Sequence, residues 1–176
     1  MEGNIKKLSV IVGVPVIALF MMVVMASAGQ TNIKGNYALS GFSSCSVGGS
    51  PADPGIVEAD YTFNIDGTGS ATGVVRSIPT PTVMYVTLEF KYTVTRGDIE
   101  FTYPDGGFKI YADPDHQTYI MQWDKAMSHG VISPDGKTMT ISCGPPTVLT
   151  VIDSPLGPPE GTQGYCVTTL AGMRMN

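Results

Sequence analysis

From Val57 to Asp66 the chain alternates without a break. Val57, Ala59, Tyr61, Phe63 and Ile65 are apolar; Glu58, Asp60, Thr62, Asn64 and Asp66 are polar. A period of two sends the two sets to opposite sides of a strand, so one side meets a core and the other meets water. Met84, Val86, Leu88, Phe90, Tyr92 and Val94 repeat the pattern against Tyr85, Thr87, Glu89, Lys91, Thr93 and Thr95. Shorter runs are Ile99/Phe101/Tyr103, Phe108/Ile110/Ala112, Tyr119/Met121/Trp123 and Met139/Ile141/Cys143. Tyr37 and Leu39 open the set, and Tyr165 to Met173 close it. No ten-residue stretch keeps a helical period.

Tight-turn chemistry separates these runs: Asp66-Gly67-Thr68-Gly69, Arg96-Gly97-Asp98, Pro104-Asp105-Gly106-Gly107, Asp113-Pro114-Asp115 and Pro134-Asp135-Gly136-Lys137. Glycine supplies positive φ, and an Asp side chain bonds to its own backbone. Connections this short make sequential strands antiparallel. Three stretches read as irregular loops: 43–55, 76–82 and the proline-rich 144–164, within which Val148–Ile152 is apolar enough to dock on the domain or add an edge strand. The pattern predicts an all-β, antiparallel meander of eight or nine strands. Hairpin connections favour closure into an up-and-down barrel; a β-sandwich is the alternative.

The N-terminus breaks the alternation. Lys6 and Lys7 precede an uncharged run from Leu8 to Met25, and Ala26-Ser27-Ala28 follows. This is the three-part pattern of a secretory signal peptide. The apolar run approaches the length of a spanning helix, but Gly13 and Pro15 interrupt it and no cationic flank follows it. The expectation is a signal peptide over residues 1–28 and one exported domain over 29–176, periplasmic or extracellular. An uncleaved helix anchoring the same domain to a membrane is the alternative. Removing residues 1–28 leaves eight basic and fourteen acidic side chains. An acidic balance disfavours nucleic acid and anionic lipid surfaces as partners, and no membrane insertion is expected after cleavage.

The exported part holds Cys45, Cys143 and Cys166, which in an oxidising compartment suggest one disulfide and one remaining thiol. Cys143–Cys166, joining the last two strands, is the leading pairing. Cys45–Cys166, joining first to last across a closed barrel, is the rival, and Cys45–Cys143 is third. No Cys-x-x-C occurs, so zinc-ribbon and thioredoxin chemistry lack their signature.

Gly35-Asn36-Tyr37 resembles the Gly-x-Trp opening of lipocalins and related calycins, with Tyr for Trp. Asp115-His116-Gln117-Thr118-Tyr119 looks like that family's Thr-Asp-Tyr region, and Arg174 follows the last strand where the family places an arginine. The resemblance implies a barrel with an internal pocket for small, mostly apolar molecules. It also implies Arg174 stacked on Tyr37 to close the narrow end.

Enzymatic and metal chemistry find little support in the residues. Asp113, Asp115 and Asp124 mimic three positions of a calcium loop, but Thr118 stands where the bend needs glycine. A solvated turn is the better reading there, with His116 part of it. His116 and His129 are too few for a zinc site. Ser43, Ser44 and Ser46 lack a nucleophile elbow. No catalytic residue, metal or cofactor is assigned. The apolar faces collect Tyr37, Tyr61, Phe63, Phe90, Tyr92, Phe101 and Trp123, which either line a pocket or fill the interior outright. Two functions follow. The first is an exported, non-enzymatic barrel binding a small apolar or amphipathic molecule. The second is a structural or interaction module of the cell envelope or exterior, with a filled core and an envelope protein as partner.

Overall fold

The computed structural model describes residues 33–125, 128–153 and 158–176; the expected leader, residues 1–28, lies outside them. Ten strands run in chain order: β1 (Gly35–Val47), β2 (Asp53–Phe63), β3 (Thr68–Ser77), β4 (Val83–Thr95), β5 (Asp98–Thr102), β6 (Phe108–Tyr111), β7 (Tyr119–Lys125), β8 (Ser128–Ile132), β9 (Thr138–Val151) and β10 (Gln163–Arg174). All pairings are antiparallel, and β1 pairs with β10 to close the sheet into a barrel.

The ten strands fill eight positions. β4 pairs with β5 through Lys91–Thr95 and with β6 through Tyr85–Leu88. β9 pairs with β8 through Met139–Cys143 and with β7 through Val148–Val151. β5 followed by β6 is therefore one interrupted stave, β7 followed by β8 is another, and the barrel is an eight-stave up-and-down meander. Pro104-Asp105-Gly106-Gly107, expected as a hairpin turn, is instead the interruption of the fifth stave. The Gly107 N–H donates to the Pro104 carbonyl at 2.8 Å, and the Gly107 carbonyl accepts from Glu89 N–H at 2.7 Å. The segment thus stays stitched to β4 while five residues bulge from it.

Two circuits of the register test whether these interruptions distort the barrel. From Thr95 the paired residues run through Asp98, Val131, Thr140, Ala171, Ser40, Glu58 and Val74 to Tyr85, ten positions from the start. From Ala38 they run through Asp60, Thr72, Thr87, Lys109, Gln122, Thr150 and Gln163 to Gly48, again ten positions away. The stagger is the same at both ends, so the insertions compensate. Eight strands with a stagger of ten tilt by about 40° and enclose a backbone cylinder about 16 Å across.

Alternation places the core as expected. Tyr61, Phe63 and Phe90 are buried at 5%, 1% and 2% exposure, while their polar neighbours face out. Two expected loops are partly strand. β1 continues to Val47 and β2 begins at Asp53, because the Ser/Cys alternation of 43–47 is a strand pattern written in small residues. Val148–Val151 is the end of β9, inside the barrel rather than at an edge. The preceding stretch adds residues to the strand: between the pairs Cys166–Thr147 and Thr168–Cys143, one β10 residue faces three of β9, which is a bulge.

Candidate functional site

The interior divides along its axis. At the end holding the β2–β3, β4–β5 and β8–β9 turns, aromatic rings fill the cross-section. Phe63 lies 5.5 Å from Tyr37 and 5.1 Å from Tyr92, both edge-on, and Phe90 lies 5.3 Å from both Phe63 and Phe101. Edge-to-face geometry suits the ring quadrupoles. The Tyr37 hydroxyl donates to the Gly136 carbonyl at 2.8 Å, tying the plug to the β8–β9 turn, and Ile33, just before β1, is buried as well. Register pairs Tyr37 with Arg174. The guanidinium lies against Gly35, where an added Cβ would sit 3.0 Å from its Nε. Tyr37 itself packs on Phe63, so the ring contact at this end is aromatic on aromatic.

The middle layer carries the buried polar groups. Tyr103 donates to Ser128 Oγ at 2.9 Å, and Ser128 Oγ lies 3.0 Å from Cys143 Sγ. Burial pushes the Cys143 thiol up, an effect that outweighs the Ser128 hydrogen bond. A thiol so held is protonated and a poor nucleophile. Burial likewise pushes Tyr61 well up. Trp123 stacks on Phe108 with centroids 3.8 Å apart and planes 3° from parallel. Its buried Nε1 has no hydrogen-bond partner.

Beyond this layer the side chains shrink. Ala59, Ala71, Gly73 and Val75 face Met84 and Val86, with Ser43 and Thr168 beside the disulfide. They surround a cavity of about 60 Å³. Of the aromatic residues expected around a pocket, Tyr61 and Trp123 line this cavity. Tyr37, Phe63, Phe90, Tyr92 and Phe101 form the plug instead.

The disulfide corrects the leading expectation. Cys45 and Cys166 face each other across the β1–β10 pairing with Cα atoms 4.1 Å apart and are bonded, while Cys143 is a buried free thiol. Register is the reason: the ladder running from Thr138 to Cys143 sets Cys143 opposite Thr168, two positions from Cys166.

Outside, Asp113 accepts from the backbone N–H groups of Gln117 at 3.0 Å and Thr118 at 2.6 Å. These bonds hold its pKa low and commit its carboxylate to the β6–β7 turn. His116 adopts φ 57° and stacks on Tyr111 at 4.7 Å. Beside it, a shallow open groove of about 540 Å³ runs over Ser40, Glu58, Asp60, Thr72 and Tyr85. His129 lies opposite Glu100 on a different stave. Among the described residues no three metal-binding side chains converge.

The outer surface is unevenly charged, which alternation does not reveal. Glu58, Asp60, Arg76, Glu89, Lys91, Asp98, Glu100 and Lys109 all project from β2 to β6. On β8, β9, β10 and β1 the described residues include no Asp, Glu or Lys, and the one Arg is Arg174, exposed at the last position of β10. The outward positions hold Ser and Thr together with exposed Phe42, Val131, Tyr165, Val167 and Met173. Sequence inspection missed this half-barrel because it appears only when β10 is laid beside β1.

Compared with protein-family models, curated proteins and solved structures, the chain matches none. The eight-stave barrel agrees with the architecture that the lipocalin resemblance implies.

Proposed function

We propose that the chain is an exported, non-enzymatic β-barrel that works as an interaction module of the cell envelope or extracellular space. Its partner docks on the uncharged half formed by β8, β9, β10 and β1. The carrying observation is that half-barrel, exposing Phe42 at 66% and Val167 at 54% of their surface, with Arg174 at the end of β10 the one Asp, Glu, Lys or Arg among the described residues of those strands. Exposed apolar surface free of charge is what a protein partner covers. The signal-like N-terminus and the disulfide support export. An apolar interior with a Ser/Thr-rich exterior is the reverse of a membrane barrel and supports a barrel that works in water.

The interior supports a small ligand less well. A cavity of about 60 Å³ is well short of the roughly 300–1,000 Å³ of drug-sized sites. One observation does favour a small amphipathic ligand: the unpartnered Trp123 Nε1–H beside that cavity, which a ligand acceptor would satisfy.

The test is a photoreactive amino acid placed at position 42, or at position 89 on the charged half, in the native host. Discrete adducts from 42 and none from 89 are expected. No adduct from 42 overturns the reading.

A further inference from the structure

We propose that the partner seated on the uncharged half-barrel is a second copy of this chain, in a two-fold dimer built on the β1–β10 seam. The proposal rests on the interaction reading above and names its occupant.

Charge argues first. Without residues 1–28 the chain holds eight basic and fourteen acidic side chains, a net charge of −6, so two copies repel at long range. The charged outward side chains sit on β2 to β6. Meeting through β8, β9, β10 and β1 turns most of the charge outward; the charges that border the seam, Glu58 and Asp60 opposite Ser40 and Ala38 and Arg174 at the end of β10, fall at its rim, where water spares them the desolvation cost of an ion without a partner. A strongly basic partner would find nothing to pair with on these strands, and an acidic one only Arg174 at the end of β10.

Shape argues next. A two-fold interface must fit itself, because the same patch serves both copies. Along the seam the outward cross-strand pairs are Ala38–Met173, Ser40–Ala171, Phe42–Thr169, Ser44–Val167 and Ser46–Tyr165. Phe42 stands up as a single large ring. The adjacent Ser40–Ala171 pair is two small side chains, a low place directly beside the high one. Turned about a two-fold axis, the Phe42 of each copy falls on the Ser40–Ala171 row of the other. Val167, Tyr165 and Met173 stand on the surrounding rows.

Area sets the strength. Four adjacent staves present about the barrel's own width of 16 Å, and strands of about twelve residues, about 36–40 Å long but tilted by about 40°, rise about 30 Å along the axis. That projects to about 450 Å² per copy and about 900 Å² in all, in the range of weak, transient interfaces. The dimer is accordingly weak, forming in the micromolar to submillimolar range. Because it joins like-charged molecules through an uncharged face, salt tightens it by screening, whereas salt loosens an ion-paired interface.

Sedimentation of the protein purified from its native host, from about 1 µM to about 1 mM, tests this. The wild-type average mass should climb from monomer toward dimer, and the transition should move to lower concentration by a few-fold between about 20 and about 500 mM salt. Phe42→Glu and Val167→Glu, both outward substitutions, should keep the wild-type circular dichroism and melting yet stay monomeric. Ile78→Glu, an exposed apolar site in the β3–β4 turn at 56% exposure, should dimerise like wild type. A wild type that remains monomeric throughout overturns the proposal, as does an Ile78→Glu that dissociates equally. If position 42 then crosslinks to a different protein, the interaction reading survives without the dimer. If it crosslinks to nothing, both fall.

Discussion

Severing the Cys45–Cys166 bond should be the most costly covalent change available to this barrel. The two cysteines lie 121 positions apart in sequence and lock the first strand to the last. In the chain-entropy model a closed loop of that length restricts the unfolded chain by about 5 kcal/mol. The Cys143–Cys166 alternative, 23 positions apart, would contribute only about 3 kcal/mol. The perturbation is the double substitution Cys45→Ser, Cys166→Ser, unfolded in guanidinium beside wild type and Cys143→Ala. The double variant should lose between about 3 and about 5 kcal/mol, since folding strain and residual structure trim the ideal figure. Its m-value should rise, because an uncrosslinked unfolded chain exposes more surface. Reducing agent should reproduce the loss in wild type and in Cys143→Ala, and leave the double variant unmoved. Cys143, buried and protonated, should resist thiol reagents until the protein unfolds. A double variant within about 1 kcal/mol of wild type, or a Cys143→Ala variant that loses the reducible bond, refutes the pairing and the closure argument built on it.

Gly41→Ala should cost more than about 3 kcal/mol, because its Cβ would fall 1.9 Å from the Thr169 carbonyl oxygen across the β1–β10 seam. Gly49→Ala, in open space but at φ 76°, should cost only about 1 kcal/mol, and the two denaturation midpoints decide the contrast. Tyr37→Phe keeps the ring packing but leaves the Gly136 carbonyl without its 2.8 Å donor, for a loss of about 1–2 kcal/mol in the same assay. The Thr68 hydroxyl beside Asp66 and the Ser133 hydroxyl beside Asp135 hold both carboxylates below their ordinary 3.8. Their contribution is therefore fully present above about pH 4 and fades as pH falls through the lowered folded values. Asp66→Asn with Asp135→Asn should flatten the acid limb of a melting-temperature profile between about pH 2 and pH 4, and an unchanged limb would count against these turn bonds.

Alternation made the staves legible because β2 and β4 write inward and outward residues in different chemistry: Phe63 against Thr62, Phe90 against Glu89. Where both sides are small, the signal fades. Ser43 points in and Ser44 points out, yet nothing in the residue types separates them, and the stretch reads as loop. Pro104-Asp105-Gly106-Gly107 carries turn chemistry and does turn, but whether the chain then reverses or resumes depends on pairing with β4, a long-range matter. The disulfide was misassigned for a similar reason. Strand order alone makes Cys143 and Cys166 neighbours, but the register of the β9–β10 ladder, which a sequence does not announce, sets Cys143 opposite Thr168 and leaves Cys166 to face Cys45. The aromatic set was correctly placed inside, but its gathering at one end required the stagger of ten to be known. Tyr37, Phe63, Phe90 and Phe101 come from four staves at different points of their own segments.

Inside and outside of this barrel answer to different constraints, and the division bears on function. An inward position must fill a cylinder about 16 Å across, so the cross-section is set by volume. Five large aromatics at one end leave no room there, and the small residues Ala59, Ala71 and Gly73 at the other leave only about 60 Å³. An outward position need only be polar enough to hold the register. Serine and threonine meet that need as well as glutamate and lysine, so the fold is indifferent to which is used. The concentration of charge on β2 to β6, with Arg174 alone on β8, β9, β10 and β1 among the described residues, is therefore not something folding requires. Replacing Ser44, Thr140 and Thr169 with Lys or Glu should leave the melting temperature within a few degrees of wild type, since outward surface changes rarely exceed about 0.5 kcal/mol. A large loss of stability in those variants would mean the uncharged half serves the fold itself, and the case for a docking face would lose its premise.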